Sequence, residues 1–401
     1  MSTLHTEVPK HVPRELVVDF DFFALGDRPE GIQLAFAELH KGPDIVWTPH
    51  HGGHWIATRF DDIDAIQRDS EHFSHKNFTI PRQEYDATSI PLGLDPPHHA
   101  PFRKLLMKAF TPQAVKVLGE IARETAHDLV AQLAPRGKCE FVQDFAKVLP
   151  IHVFLGMVNL PIEDKHYLLP LAEVSVRSSN VQERIEAQGK MQAYLGKYID
   201  ERMANPEDDL LSMIGQGDID GRPITRDETM RMASLVMGGG LDTVASSLGF
   251  IAHFLATHPE HRADLVANPQ LNPVACEELL RRFGLPNTSR ALTMDYEYKG
   301  VQFRKDDLIL TPKCLAGLDD RVVENPAEVN FRRKPSSIKH SAFGSGPHIC
   351  PGAVLARREI MVFLDEWLPV IPNFELDPDD KVIMASGSVS GVLRLPLRWS
   401  V

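Results

Sequence analysis

The chain has 401 residues, 43% of them hydrophobic, enough to fill the core of one large domain or of a few ordinary ones. Its 43 lysines and arginines face 55 aspartates and glutamates, and the resulting charge of −12 argues against a nucleic-acid binder that works by neutralising phosphates. The N-terminal MSTLHTEVPKHVPRELVVDFD has no apolar core of signal-peptide length, and no later run of about 20 apolar residues occurs, so the reading is a cytoplasmic protein without a membrane span.

Taken in chain order, residues 1–15 read as a flexible N-terminal extension, and the whole of 1–401 as a single domain without repeats or long linkers. Residues 41–60 read as strands. Helical periodicity follows in DDIDAIQRDSEHF, HAPFRKLLMKAF and PQAVKVLGEIARETAHDLVAQLA. Thr225 and Glu228 have capping-box spacing, and the helical pattern beyond them continues to Pro259, over 30 residues with apolar or small residues on nearly every face. NPVACEELLRRFG is a further helix, and residues 295–312 read as a hairpin around Lys-Gly and Lys-Asp-Asp turns. The expected fold is mainly α, with a long central helix and small sheets.

Three constellations can carry chemistry. Gly238, Gly239 and Gly240 interrupt the long helix, at roughly 1 kcal/mol each relative to alanine. Close helix packing would explain them; so would a flat ligand, which also accounts for the acid and hydroxyl of Asp242 and Thr243 next to them. Glu278 and Arg281 can pair at i, i+3, a spacing that is usually a solvated surface pair. Finally, FGSGPHICPG places Cys350 just before a helical run, where backbone N–H groups and the helix dipole favour thiolate; Gly344, Gly346 and Gly352 permit the turns, and Pro351 suits a helix start. The other cysteines, Cys139, Cys276 and Cys314, lie far apart and form no CxxC pair, so a zinc site, an iron–sulfur cluster or a disulfide framework is unsupported.

Phe343, Gly344, Gly346, His348, Cys350 and Gly352 make the pattern F-G-x-G-x-H-x-C-x-G, which resembles the haem-binding loop of the cytochrome P450 superfamily. DPPHHAPFRKLL, GGGLDT and CEELLRR resemble three further motifs of that family, in the same order and spacing. The resemblance implies the cytochrome P450 fold, a large helical domain with a smaller β-rich subdomain. It also implies haem b bound through the Cys350 thiolate, with Gly239, Phe343 and Gly352 beside it. Arg103, Arg290 and His348, with His99, would hold the propionates, and Glu278 and Arg281 would join Arg333 in a structural triad. Asp242 and Thr243 would deliver protons during oxygen activation.

The likeness is greatest to the bacterial camphor 5-monooxygenase group, through stretches such as DYEYKGVQF, ARREIMVFLDEWL and SGSVSGVLRLPL. That group takes electrons from a [2Fe–2S] ferredoxin served by a flavin reductase, and Arg103, Lys108, Lys339, Arg357 and Arg358 flank the haem motifs as a basic landing site. The implied substrate pocket comprises Ala87, Leu92, Leu235, Gly238, Pro286, Thr288, Ser388 and Val389. Ala87 and Leu92 replace the group's ketone-binding tyrosine and a threonine, although Tyr85 is near, and Gly238 and Ser388 replace larger residues. These departures imply a roomier pocket without the same carbonyl anchor, suited to an apolar terpenoid or norisoprenoid such as an ionone rather than to camphor. The expected protein is a monomeric monooxygenase using O2. The alternatives are a peroxide-driven haem-thiolate enzyme, which commonly lacks the acid–alcohol pair, a non-catalytic haem sensor, and a helical binding protein without cofactor.

Overall fold

The computed structural model describes residues 6–28, 30–83, 89–177 and 181–401. Its longest element, Arg226–Thr257, spans 32 residues, about 48 Å at 1.5 Å per residue. The capping box starts it: the Thr225 hydroxyl accepts from the Glu228 N–H at 3.2 Å, and the Glu228 carboxylate accepts from the Thr225 N–H at 2.9 Å. The helix is apolar all round because it threads two cores. Met232, Ala233 and Met237 enter one with Phe154, Leu195 and Leu211, while Val244, Leu248 and Ile251 enter the other with Phe141, Phe145 and Phe363.

The other expected helices form at His99–Met107, Pro112–Leu133 and Asn272–Arg282. Ala353–Trp367 follows the cysteine loop and packs along Pro112–Leu133. Asp61–Phe73 is not one helix: Phe60–Arg68 is helical, and Phe73–Ser74 is a strand. Asp69 causes the break, its carboxylate taking the His72 backbone N–H at 3.1 Å and meeting the His72 ring at 2.8 Å.

The principal sheet has five strands in the order Ile45–Thr48, His54–Ala57, Leu308–Pro312, Asn287–Leu292, Phe73–Ser74. Leu308–Pro312 runs antiparallel to Asn287–Leu292, with Thr311 opposite Thr288 and Ile309 opposite Arg290. Of the hairpin expected over 295–312, Tyr296–Tyr298 and Val301–Phe303 pair, turning at Lys299 and Gly300 with φ of 50° and 78°, whereas Leu308–Pro312 lies in the principal sheet between His54–Ala57 and Asn287–Leu292. The protein is thus mainly α with a smaller β-rich part.

The described part of the N-terminal segment is packed rather than extended away from the body. The Thr6 N–H donates to the Pro49 carbonyl, Val12 is buried, and His11 Nε2 lies 3.0 Å from Asp307. Further on, the Leu25 N–H donates to Ser386 Oγ at 3.0 Å, joining positions 361 residues apart.

Candidate active site

Among the four cysteines only Cys350 is exposed; the other three are buried. Its loop is fixed by backbone: the Cys350 N–H donates to the Phe343 carbonyl at 2.9 Å and the Gly344 N–H to the Ser341 carbonyl at 2.8 Å. Gly344 and Gly346 have φ of 74° and 69°, and a Cβ on Gly346 would lie 2.8 Å from the Gln67 carbonyl oxygen, so that turn requires glycine. Gln67 also accepts from the Ser345 N–H at 2.8 Å. The following helix begins at Ala353 with Gly352 as its N-cap. Pro351 therefore precedes the helix instead of opening it. Crowding by the loop pushes the Cys350 thiol up, opposed by the Gly352 N–H and by Arg103 and Arg357. Arg103 donates to the Ile349 carbonyl, and Arg357 lies 4.4 Å over the Phe343 ring.

The glycines of the long helix are not packing residues. A Cβ on Gly238, Gly239 or Gly240 would meet nothing within 4 Å. The helix thus presents bare backbone to open space, as a flat ligand needs and tight helix packing does not. Leu235, Gly238, Gly239, Asp242 and Thr243 recur at three- and four-residue spacing and share this face. The Thr243 hydroxyl donates to the Gly239 carbonyl at 2.8 Å. Its hydrogen is committed there, so its lone pairs remain to accept from a water or ligand.

A third group of side chains gathers between the sheet and the cysteine loop. The His348 ring lies 4.3 Å from that of His99 and 4.0 Å from that of His75, and both His348 ring nitrogens are buried without a partner. Arg290 is buried beside them; burial lowers it to about 9, only partly opposed by Asp95. Burial, then Arg290, His99 and Arg103, lowers His348 to about 2. A buried arginine amid neutral imidazoles with unfilled nitrogens is an environment short of negative charge and of acceptors. It fits the carboxylates of a haem, with Arg103, His99, Arg290 and His348 as the residues able to hold them and Cys350 as the available thiolate. His75 and Lys313 also belong to this cluster. Sequence reasoning missed both, because neither sits in a recognisable motif.

The pocket residues come together in part. Pro286 bridges Val389, the Asn287 N–H donates to the Ser388 carbonyl at 2.8 Å, and Thr288 follows on the same strand. Leu92 is half-buried, while Ala87 and Tyr85 lie outside the described residues. Glu278 and Arg281 are wholly buried, not solvated. Arg281 grips both Glu278 oxygens at 2.7 and 2.8 Å, and Arg333 reaches the same carboxylate at 3.2 Å. Arg281 also donates to the Gly317, Pro326 and Glu328 carbonyls, each at 2.7 Å. In the basic patch Lys108 and Lys339 are exposed, but Arg357 is engaged by Glu277. Exposed Ile349 and Val354 lie in the same stretch of chain.

The comparisons agree with this geometry. The sequence profile described as Cytochrome P450 matches residues 270–400. A probable cytochrome P450 127A1 of Sinorhizobium fredii is 32% identical, covering 98% of this chain and 97% of that protein. The solved structure of CYP101C1 superposes with a TM-score of 0.91 at 38% identity, covering 98% of this chain and 100% of that one. CYP101J2 gives the same TM-score at 35% identity, covering 99% and 100%. Carrying the cysteine loop, the glycine-faced helix and the buried Glu278–Arg281 pair in one fold, the chain belongs to the cytochrome P450 family, whose members bind haem b through a cysteine thiolate, and is a monooxygenase.

Proposed function

We propose that this chain, acting as a monomeric single-domain enzyme in the cytoplasm, hydroxylates an apolar terpenoid or norisoprenoid of ionone type. Electrons come one at a time from a [2Fe–2S] ferredoxin served by a flavin reductase. The haem, when bound, supplies the activation of O2 and the insertion of one oxygen atom into a C–H bond. Cys350 would be its thiolate ligand, with Gly239, Phe343 and Gly352 beside it. Arg103, Arg290, His99 and His348 would hold its carboxylates.

The observation that carries this reading is the shared face of Gly239, Asp242 and Thr243 on the central helix. With its hydrogen on the Gly239 carbonyl, Thr243 can hold a water as acceptor, and Asp242 can relay protons from outside. Leu92, Leu235, Gly238, Pro286, Thr288, Ser388 and Val389, with Ala87, bind the substrate, and the small side chains among them leave room for a skeleton larger than camphor. The ferredoxin docks over Lys108, Lys339, Arg103 and Arg358, where local positive charge stands out against the overall −12.

The test is the reduced-CO difference spectrum of the purified protein, followed by titration with ionones and with camphor. A far-red Soret band and an ionone-induced spin shift are the expected results. Tight camphor binding with no response to ionones would refute the substrate class.

A further inference from the structure

The C-terminal end of the long helix borders a groove of about 780 Å³, and none of the haem-loop or pocket residues lines it. Phe250, His253, Phe254 and Thr257 recur at three- and four-residue spacing, so one stripe of Arg226–Thr257 faces this groove. Arg282 and Phe283, where the helix Asn272–Arg282 ends, add to the lining. The Phe250 and Phe283 rings are nearly parallel, 7° apart in plane at 6.0 Å, and the Phe254 ring lies 5.6 Å from Phe283. Flat apolar surface is therefore gathered here.

Arg282 breaks that apolar character. It is 9% exposed, and its guanidinium lies 4.9 Å over the Phe283 ring. Its Nε donates to the Ala327 carbonyl at 2.9 Å, Nη1 is buried without a partner, and the guanidinium forms no ion pair among the described residues. Burial, then the Arg281 charge, lowers it to about 10, so it is still a cation at neutral pH. No acid nearby is placed to neutralise it. Glu278, four residues earlier on the same helix, is gripped by Arg281 and Arg333, while Asp27, Glu30 and Glu328 at the groove are exposed to solvent. A buried cation without a counter-charge is costly, and a ligand carboxylate would remove that cost. The His253 ring also has no hydrogen-bond partner among the described residues. Burial, then His258, lowers it to about 4, so it is neutral with one N–H to donate.

We infer that this groove is a second ligand site, apart from the haem site, for a flat apolar monocarboxylate. Arg282 pairs with the carboxylate, Phe254 and Phe283 cover the apolar body, and His253 offers a further donor.

2-Naphthoate and its neutral counterpart 2-naphthylmethanol are titrated by calorimetry into the haem-loaded wild type, Arg282→Gln and Thr257→Trp, with the Soret band recorded at each addition. The wild type should prefer the carboxylate, and Arg282→Gln should reduce that preference roughly tenfold or more. Thr257→Trp sets a bulky ring at the exposed rim and should weaken both ligands. Naphthoate affinity unchanged in both variants and tracking a Soret shift would place the ligand at the haem and overturn the site, as would a wild type that does not bind naphthoate. Where Arg282→Gln fails to fold, the wild type and Thr257→Trp still decide, because equal wild-type affinity for the two ligands refutes the role of the Arg282 charge.

Discussion

Glu278→Gln keeps the shape of a side chain and removes one charge at the centre of the fold. Glu278 and Arg281 have side chains with no exposed surface, and the Arg333 side chain is 10% exposed. The amide can still accept from the Asn330 N–H, which now bonds Glu278 at 3.0 Å. What disappears is the carboxylate that Arg281 and Arg333 share. Breaking such a pair costs about 3–5 kcal/mol, or roughly two to three and a half orders of magnitude in the folding equilibrium, against a total stability of about 5–15 kcal/mol. Asp200→Asn is the control. Asp200 receives an equally bidentate grip from Arg226, at 2.5 and 2.8 Å, but both side chains are more than half exposed. Urea unfolding followed by circular dichroism should show a large drop in midpoint for Glu278→Gln and almost none for Asp200→Asn. Equal shifts would refute the argument that burial, rather than pairing geometry, makes the Glu278 pair matter.

Cys350→Ala should lose the far-red reduced-CO band while the far-ultraviolet circular dichroism stays native, because no apolar core is disturbed; a retained band would exclude Cys350 as ligand. Thr243→Ala should leave haem content and substrate affinity near wild type while most NADH consumption ends as hydrogen peroxide, with the product-to-NADH ratio as the readout; unchanged coupling would remove Thr243 from proton delivery. Glu359 is 3% exposed, its Oε2 has no partner, and burial raises it from 4.5 to about 8. Between those values Glu359 holds in the folded protein a proton that the unfolded chain releases, so this group's contribution to stability falls as pH rises through that window, by about 1.4 kcal/mol per unit. Buried neutral histidines such as His348 act in the opposite direction below their ordinary value. From pH 5 to 8 the urea midpoint of the wild type should therefore fall relative to that of Glu359→Gln, and parallel profiles would contradict the assignment.

Local signals were the legible part of the sequence. The capping box at Thr225 and Glu228 formed as its spacing required, and the glycines around Cys350 announced a turn that other residues would block. What escaped depended on distant contacts. Asn287–Leu292 reads NTSRAL, with no alternating apolar face, and became a strand because Leu308–Pro312 and Phe73–Ser74 pair on its two sides. Nothing in the sequence around Lys313 marks it as buried, and only the fold brings Thr288 and Thr311 to its amine. The Glu278–Arg281 spacing is the same on a wet helix and a dry one, so only the surrounding Gly317, Pro326 and Glu328 carbonyls reveal which it is. For the glycines on the long helix, sequence left packing and ligand contact undecided, and the open space beside them favours the second.

The bond between Leu25 and Ser386 also sets a schedule. Positions 361 residues apart in the chain cannot meet until the later one has left the ribosome, on the order of 20–70 s after the earlier one at typical translation speeds. Throughout that interval the Leu25 N–H lacks its final acceptor, while Phe22 can already meet the His51 and His54 rings. Until then water or a provisional contact has to satisfy that N–H. Expression yield should therefore respond to changes in this early segment that leave the activity of the mature protein untouched.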